Sequence, residues 1–187
     1  MGFIPLSCDI FCLDDCACGR LKVQNFIIDD FRVGVFANDG FADPQKIYKV
    51  DDLVIRVFVY QLTYVFQQSV TPKFSFIPSA FACDPIPPGS VHFIKDIKFI
   101  SNHSFNWNGN EFANGEDITD LFRVAGFQID PSFENLFRNK FNFLGQEPLA
   151  LRIKDQALQE TEFDLNLKLT LSDGREFVFE DLKFWLN

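Results

Sequence analysis

The sequence predicts an all-β protein: an antiparallel β-sandwich, immunoglobulin-like or related, with one or two short helices in its C-terminal half. Three observations predict it. Phe163, Leu165, Leu167, Leu169 and Leu171 alternate with Asp164, Asn166, Lys168, Thr170 and Ser172, the period-2 pattern of a strand with one buried and one wet face. Phenylalanine, which buries a large area and favours strands, occurs 25 times. Apolar runs bounded by Gly, Pro, Asn and Asp add up to roughly eight to ten strands.

The pattern begins after residue 20. Leu21 and Val23 alternate, then Phe26 and Ile28 carry the apolar phase, which places a bulge near Gln24-Asn25. Phe31, Val33 and Val35 alternate next, and Asn38-Asp39-Gly40 with Asp43-Pro44 marks a loop. Leu53, Ile55, Val57 and Val59 share one face of a strand whose other face holds Val54, Phe58 and Tyr60. Apolar on both sides, it reads as a central strand covered twice. Thr63 to Phe66, Lys73 to Ile77 and Phe81 to Cys83 are weaker strands.

The prolines of Asp84-Pro85-Ile86-Pro87-Pro88-Gly89 lack N–H donors, so residues 84–90 read as a stiff crossover within one domain spanning 20–187. Val91, Phe93, Ile97 and Phe99 form one strand face. Ser101 to Gly115, rich in Asn and Gly, reads as a long polar loop. Asp117 to Phe122 reads as a helical turn. Asp130 and Pro131 open a short helix with Phe133, Leu136 and Phe137 on one face. After a strand at Leu149, Leu151 and Ile153 comes the final hairpin, turning at Asp173-Gly174. Its return strand changes phase between Phe179 and Leu182, which predicts a bulge at Glu180-Asp181.

Charge narrows the function classes. The chain carries 17 basic and 26 acidic residues, a formal charge of −9. Such a surface repels phosphate backbones, which argues against nucleic-acid binding. No apolar run reaches the roughly 18–20 residues of a membrane helix.

Residues 1–19 read as a cysteine-rich tether. Cys8, Cys12, Cys16 and Cys18 fall here, and Cys83 lies far along the chain. Phe3, Ile4, Leu6, Ser7 and Cys8 look like the end of a bacterial lipoprotein signal, with Pro5 where Leu is usual and the remainder of the signal expected upstream of Met1. Cys8 is then the lipidated residue. Cys12, Cys16, Cys18 and Cys83 remain as disulfide candidates with three connectivities. Cys16 and Cys18 are too close for a relaxed mutual bridge. Zinc is the rival reading, but Cys12-x3-Cys16-x-Cys18 is not a standard zinc spacing.

Few residues suggest chemistry. There is no Gly-x-Ser-x-Gly, and the only histidines are His92 and His103. The pairs Asp29-Asp30, Asp51-Asp52, Glu116-Asp117 and Glu180-Asp181 are sequence neighbours, which on a strand point to opposite faces. The 101–115 loop offers oxygen ligands for calcium at Asn110, Glu111, Glu116 and Asp117, without EF-hand spacing. Trp107 and Asn108 in the same loop are candidates for contacting a ligand, such as a surface glycan or a protein, beside Asn102 and Asn106. Trp185, on the polar phase of the last strand, reads as structural.

Several motifs together resemble a group of Bacteroidota lipoproteins: Cys83-Asp84-Pro85-Ile86-Pro87-Pro88-Gly89-Ser90, Ile94-Lys95-Asp96-Ile97, Ile100-Ser101-Asn102, and Glu116-Asp117-Ile118-Thr119-Asp120-Leu121-Phe122. The group shares a cysteine-rich start, a proline-rich middle and a closing β-hairpin. The resemblance implies an envelope location, a lipid anchor and a β-rich fold, with no catalytic residues to carry over. The expected function is therefore non-catalytic: binding or structural work at the cell surface, with no cofactor. The alternatives are a carboxylate-dependent hydrolase and a subunit of a surface assembly that pairs through a strand edge.

Overall fold

A computed structural model describes residues 24–38, 40–66, 88–126, 131–144 and 147–187. The architecture is an antiparallel β-sandwich, as the alternation predicts. The first sheet runs β2 (Gly40–Phe41), β1 (Gln24–Ala37), β4 (Leu53–Phe66), β10 (Leu149–Ile153) and β9 (Phe122–Val124), with β5 (Gly89–Ser90) also on β1. The second sheet runs β3 (Ile47–Tyr48), β12 (Glu176–Leu186), β11 (Thr161–Leu171) and β6 (Ile94–Ser101). A two-stranded ribbon, β7 (Phe105–Trp107) and β8 (Asn110–Phe112), packs beside β11, and β5 and β3 join their neighbours in parallel. The last two residues of the proline-rich crossover are thus a strand, while Cys83 to Pro87 lie outside the described residues.

The inward rows of the two sheets form one core. All six inward residues of β11, from Thr161 to Leu171, are buried. Each buried leucine contributes about 1.5–3 kcal/mol by leaving water. Aromatic pairs bridge the sheets: Phe99 on β6 stacks on Phe122 of β9 at 3.8 Å, and Phe31 on β1 meets Phe177 of β12 edge-on at 4.9 Å. Such contacts add about 0.5–1.5 kcal/mol beyond area burial.

Register shows where phase is managed. Leu165 faces Leu182 and Leu167 faces Phe179, so one extra residue sits in β12 at Glu180-Asp181, where the sequence places it. Asp181 adopts φ 57°, and its N–H donates to Asn166 Oδ1 at 3.2 Å. The β1 irregularity differs from expectation. It falls at Asp29-Asp30, between Ile28 and Phe31, rather than at Gln24-Asn25. There the buried phase passes from Phe26 and Ile28 to Phe31, and Asp30 Oδ1 accepts the Phe31 N–H at 2.8 Å.

Other elements depart in detail. Thr63–Phe66 is the end of β4, not a separate strand. Val91 is exposed, because the strand begins at Ile94 and inserts a residue near Lys95-Asp96. The one α-helix among the described residues, α1 (Phe133–Arg138), is capped by Ser132, whose side chain accepts the Asn135 N–H at 3.1 Å; Pro131 therefore precedes the helix. Some strand edges are short or occupied. β2 and β9 have two and three residues. The outer edge of β6 is taken by Ile118, whose N–H donates to Phe99 O, and by Thr119, whose hydroxyl accepts the Phe99 N–H. Among the described residues, the edge of β12 away from β11 is paired only at Trp185 and Leu186, and that of β4 away from β1 only from Ile55 to Val57, so stretches of unpaired edge remain.

Candidate binding surface

The residues singled out in the 101–115 segment are used structurally. The segment folds as the β7–β8 hairpin, turning at Asn108 (φ 53°) and Gly109 (φ 86°), a left-handed pair suited to a two-residue turn. Trp107 is 1% exposed and packs edge-on against Phe163 at 5.2 Å. Its expected role in contacting a ligand is corrected: on β7 the indole shares the inward face of Phe105. Asn108 is likewise engaged, its side chain donating to Gln156 O and accepting from Leu158 N–H, both at 2.9 Å. It clamps the hairpin to the following loop.

The calcium ligands are not assembled. Asn110 and Glu111 are exposed on β8, Glu116 Oε2 accepts the Ala113 N–H at 2.7 Å, and Asp117 Oδ1 accepts the Thr119 N–H at 3.0 Å. Among the described residues no three His, Cys, Asp or Glu side chains converge on a point where a metal could sit. The acids shape turns instead. Cys8, Cys12, Cys16, Cys18 and Cys83, and with them the lipidation and disulfide expectations, lie outside the described residues.

The carboxylates with displaced pKa values are displaced in the wrong direction for a general acid at neutral pH. Burial raises Asp164, but hydrogen bonds from Asn102 and Lys183 and the Lys183 charge outweigh it, and the pKa is lowered. At Asp173 burial also raises, and donation from the Arg175 side chain and backbone, with the charges of Arg175 and His92, outweighs it. Lowered folded-state pKa values mean that this stabilisation is fully present above the unfolded pKa of about 3.9 and is lost as pH falls through the folded pKa. The stability difference between wild type and Asp164→Asn should therefore be constant from neutral pH down to about 5 and shrink below about 4. Denaturant titrations across that range check it, and a difference that stays level to the lowest pH would contradict the assignment.

The surface with unexplained chemistry is the outer face of the first sheet, which the sequence reading took to be covered. Phe36 and Phe41, paired across β1 and β2, stack at 4.6 Å, and Phe58 meets Phe36 at 5.6 Å. Arg32 lies 3.5 Å from the Tyr60 ring centroid and Arg56 5.1 Å from that of Phe36. Phe41 is 79% exposed and Tyr60 46%. A hollow of about 170 Å³ opens between these rings over Gly34, where a Cβ would come within 2.9 Å of both Phe36 and Phe41. A side chain at this position would displace the two rings. The sequence signal was the apolar outer phase of the 53–60 strand. It was misread because an exposed aromatic row and a buried one have the same period.

No protein-family model matches the chain, and no curated protein matches it. Two solved structures are similar over 84% of the chain. One is the C-terminal domain of the AgI/II polypeptide BspA of Streptococcus agalactiae, at 10% identity and a TM-score of 0.26; the other, a second structure of the BspA C-terminal region, has the same identity and score. The chain spans about half the length of each, 49% and 50%. Likeness at this level carries neither fold nor function to this chain, and the sandwich assignment rests on the strand pairing itself.

Proposed function

We propose that the chain is a non-catalytic binding domain of the cell envelope, related to the Bacteroidota lipoproteins it resembles, anchored through Cys8 and offering the outer face of its first sheet to a partner. The observation that carries the binding role is the aromatic row of that face, with Phe41 79% exposed beside Tyr60 and the guanidinium of Arg32 laid on the Tyr60 ring. Exposed aromatic and arginine side chains together are the composition of interface anchors. The cysteine-rich start supports the envelope location.

Photo-crosslinking in native cells tests the binding role. A benzoylphenylalanine introduced in place of Phe41 should give a discrete crosslinked product, and one in place of Val178, exposed on the second sheet, should not. Equal yields at the two positions, or none at either, would remove the face from consideration. The anchor is tested separately by intact mass. A diacylglycerol adduct on Cys8 is expected, and an unmodified chain beginning at Met1 would exclude it.

A further inference from the structure

We propose that this face binds an acidic, extended polypeptide segment, which seats one apolar side chain in the hollow over Gly34 and lays its carboxylates along a diagonal line of arginines. The inference rests on the reading of the face as the docking surface and adds the chemistry of the partner.

Register defines the line. Gly34, two residues beyond Arg32 on β1, faces Arg56 on β4. Arg56 faces Ala150 on β10, and two residues beyond it Arg152 faces Arg123 on β9. Each arginine alternates with core residues (Phe31, Ile55 and Val57, Leu151 and Ile153, Phe122 and Val124), so all four emerge on the outer side. The line climbs across four strands, each about 5 Å apart, in along-strand steps of about 7 Å. Four arginines thus share one face of a chain whose formal charge is −9.

Three of the four arginines lack a carboxylate among the described residues. The described ion pairs give no carboxylate to Arg32, Arg123 or Arg152. Arg123 and Arg152 are directly opposite on neighbouring strands, an arrangement of like charges that destabilises a sheet. The Nε of Arg152 is buried without an acceptor. Contact with Tyr60 engages the face of the Arg32 guanidinium, and a guanidinium stacked in this way can still donate in its plane to a carboxylate through two parallel hydrogen bonds. An anion supplies the missing carboxylates and offsets the opposed like charges.

The hollow selects a peptide over an acidic polysaccharide. Val33, Gly34, Phe36, Phe41, Phe58 and Val59 line it, with Arg32 and Tyr60 as its polar members. Most of the hydroxyls of a sugar entering it would exchange water for apolar carbon, with Arg32 and Tyr60 the only polar side chains of the lining, whereas an aliphatic or aromatic side chain loses nothing.

The test is fluorescence anisotropy of the whole chain with a short labelled peptide of alternating glutamate and threonine carrying one central phenylalanine. The wild type should bind it, with affinity falling as salt rises. Arg123→Glu with Arg152→Glu should weaken binding by about tenfold or more, as expected for charged groups removed from an interface. Replacing the central phenylalanine of the peptide by glycine should also weaken it. Circular dichroism confirms that the variants are folded, and Lys98→Glu on the second sheet should leave binding unchanged. Binding of sodium alginate in place of the peptide would overturn the peptide assignment and leave the docking face intact. Equal binding of a lysine-for-glutamate peptide, or insensitivity to the arginine variants, would overturn the anionic line. Absence of binding to either probe together with crosslinking at position 41 would reject the acidic partner alone. Absence of both would reject the face as well.

Discussion

Phe163→Ala is expected to destabilise the protein by about 3–5 kcal/mol, the range for a large aromatic removed from a packed core. Phe163 is 1% exposed at the junction of β11, β12 and the β7–β8 ribbon. Its ring stacks on Phe184 at 5.2 Å, receives the edge of Trp107 at 5.2 Å and tilts against Phe105 at 5.0 Å. Truncation leaves a cavity that three aromatic rings, two held by β7 and one by β12, cannot close. Trp107→Phe serves as a companion. The buried indole Nε1 has no hydrogen-bond acceptor, so losing it costs nothing in hydrogen bonding, and the change should remain below about 1.5 kcal/mol. Urea unfolding measures both. A Phe163→Ala cost below about 1 kcal/mol would mean that the ribbon does not pack as described.

Ser90→Ala is expected to cost about 1–3 kcal/mol, the penalty for stranding a buried donor. Ser90 is 6% exposed on β5, and its hydroxyl accepts the Phe143 N–H and donates to His92 O, both at 2.9 Å. The Ser90 N–H in turn donates to Phe143 O at 2.9 Å, and Val91 N–H donates to Phe26 O at 2.8 Å. This small network ties the 141–144 segment to the end of β1. Without the hydroxyl, the Phe143 amide lies in the core with no acceptor, and its hydrogen exchange should accelerate beyond any global change. An unchanged Phe143 exchange rate with a stability loss under about 0.5 kcal/mol would show that a water or a backbone shift replaces the hydroxyl.

Local pattern carried the reading furthest where one face is wet. Along β11 and β12 burial alternates strictly enough that strand limits, turn and bulge are all legible from residue order, because a one-residue slip would expose the whole buried row. The helix at Phe133–Arg138 was legible from Phe133, Leu136 and Phe137, though its cap is Ser132 rather than Asp130. The β7–β8 hairpin was missed although Asn108-Gly109 is a hairpin signal, because the polar composition of 101–115 outweighed it.

By itself, then, the sequence determined the class of the fold, the phase of its long strands and the bulge that keeps the last hairpin in phase, since each depends on residues close along one chain. Tertiary structure alone decided what each face meets. Phe58 and Tyr60 continue the period of buried Val54, yet they end on an aromatic, arginine-bearing surface. Trp107 has the neighbours of a loop tryptophan, yet it lies in the core. The arginine line exists only because cross-strand register aligns residues 32, 56, 152 and 123, whose separation along the chain holds no periodic signal. Alternation states that two faces differ or agree in polarity; which of them faces solvent is set by the packing of the second sheet.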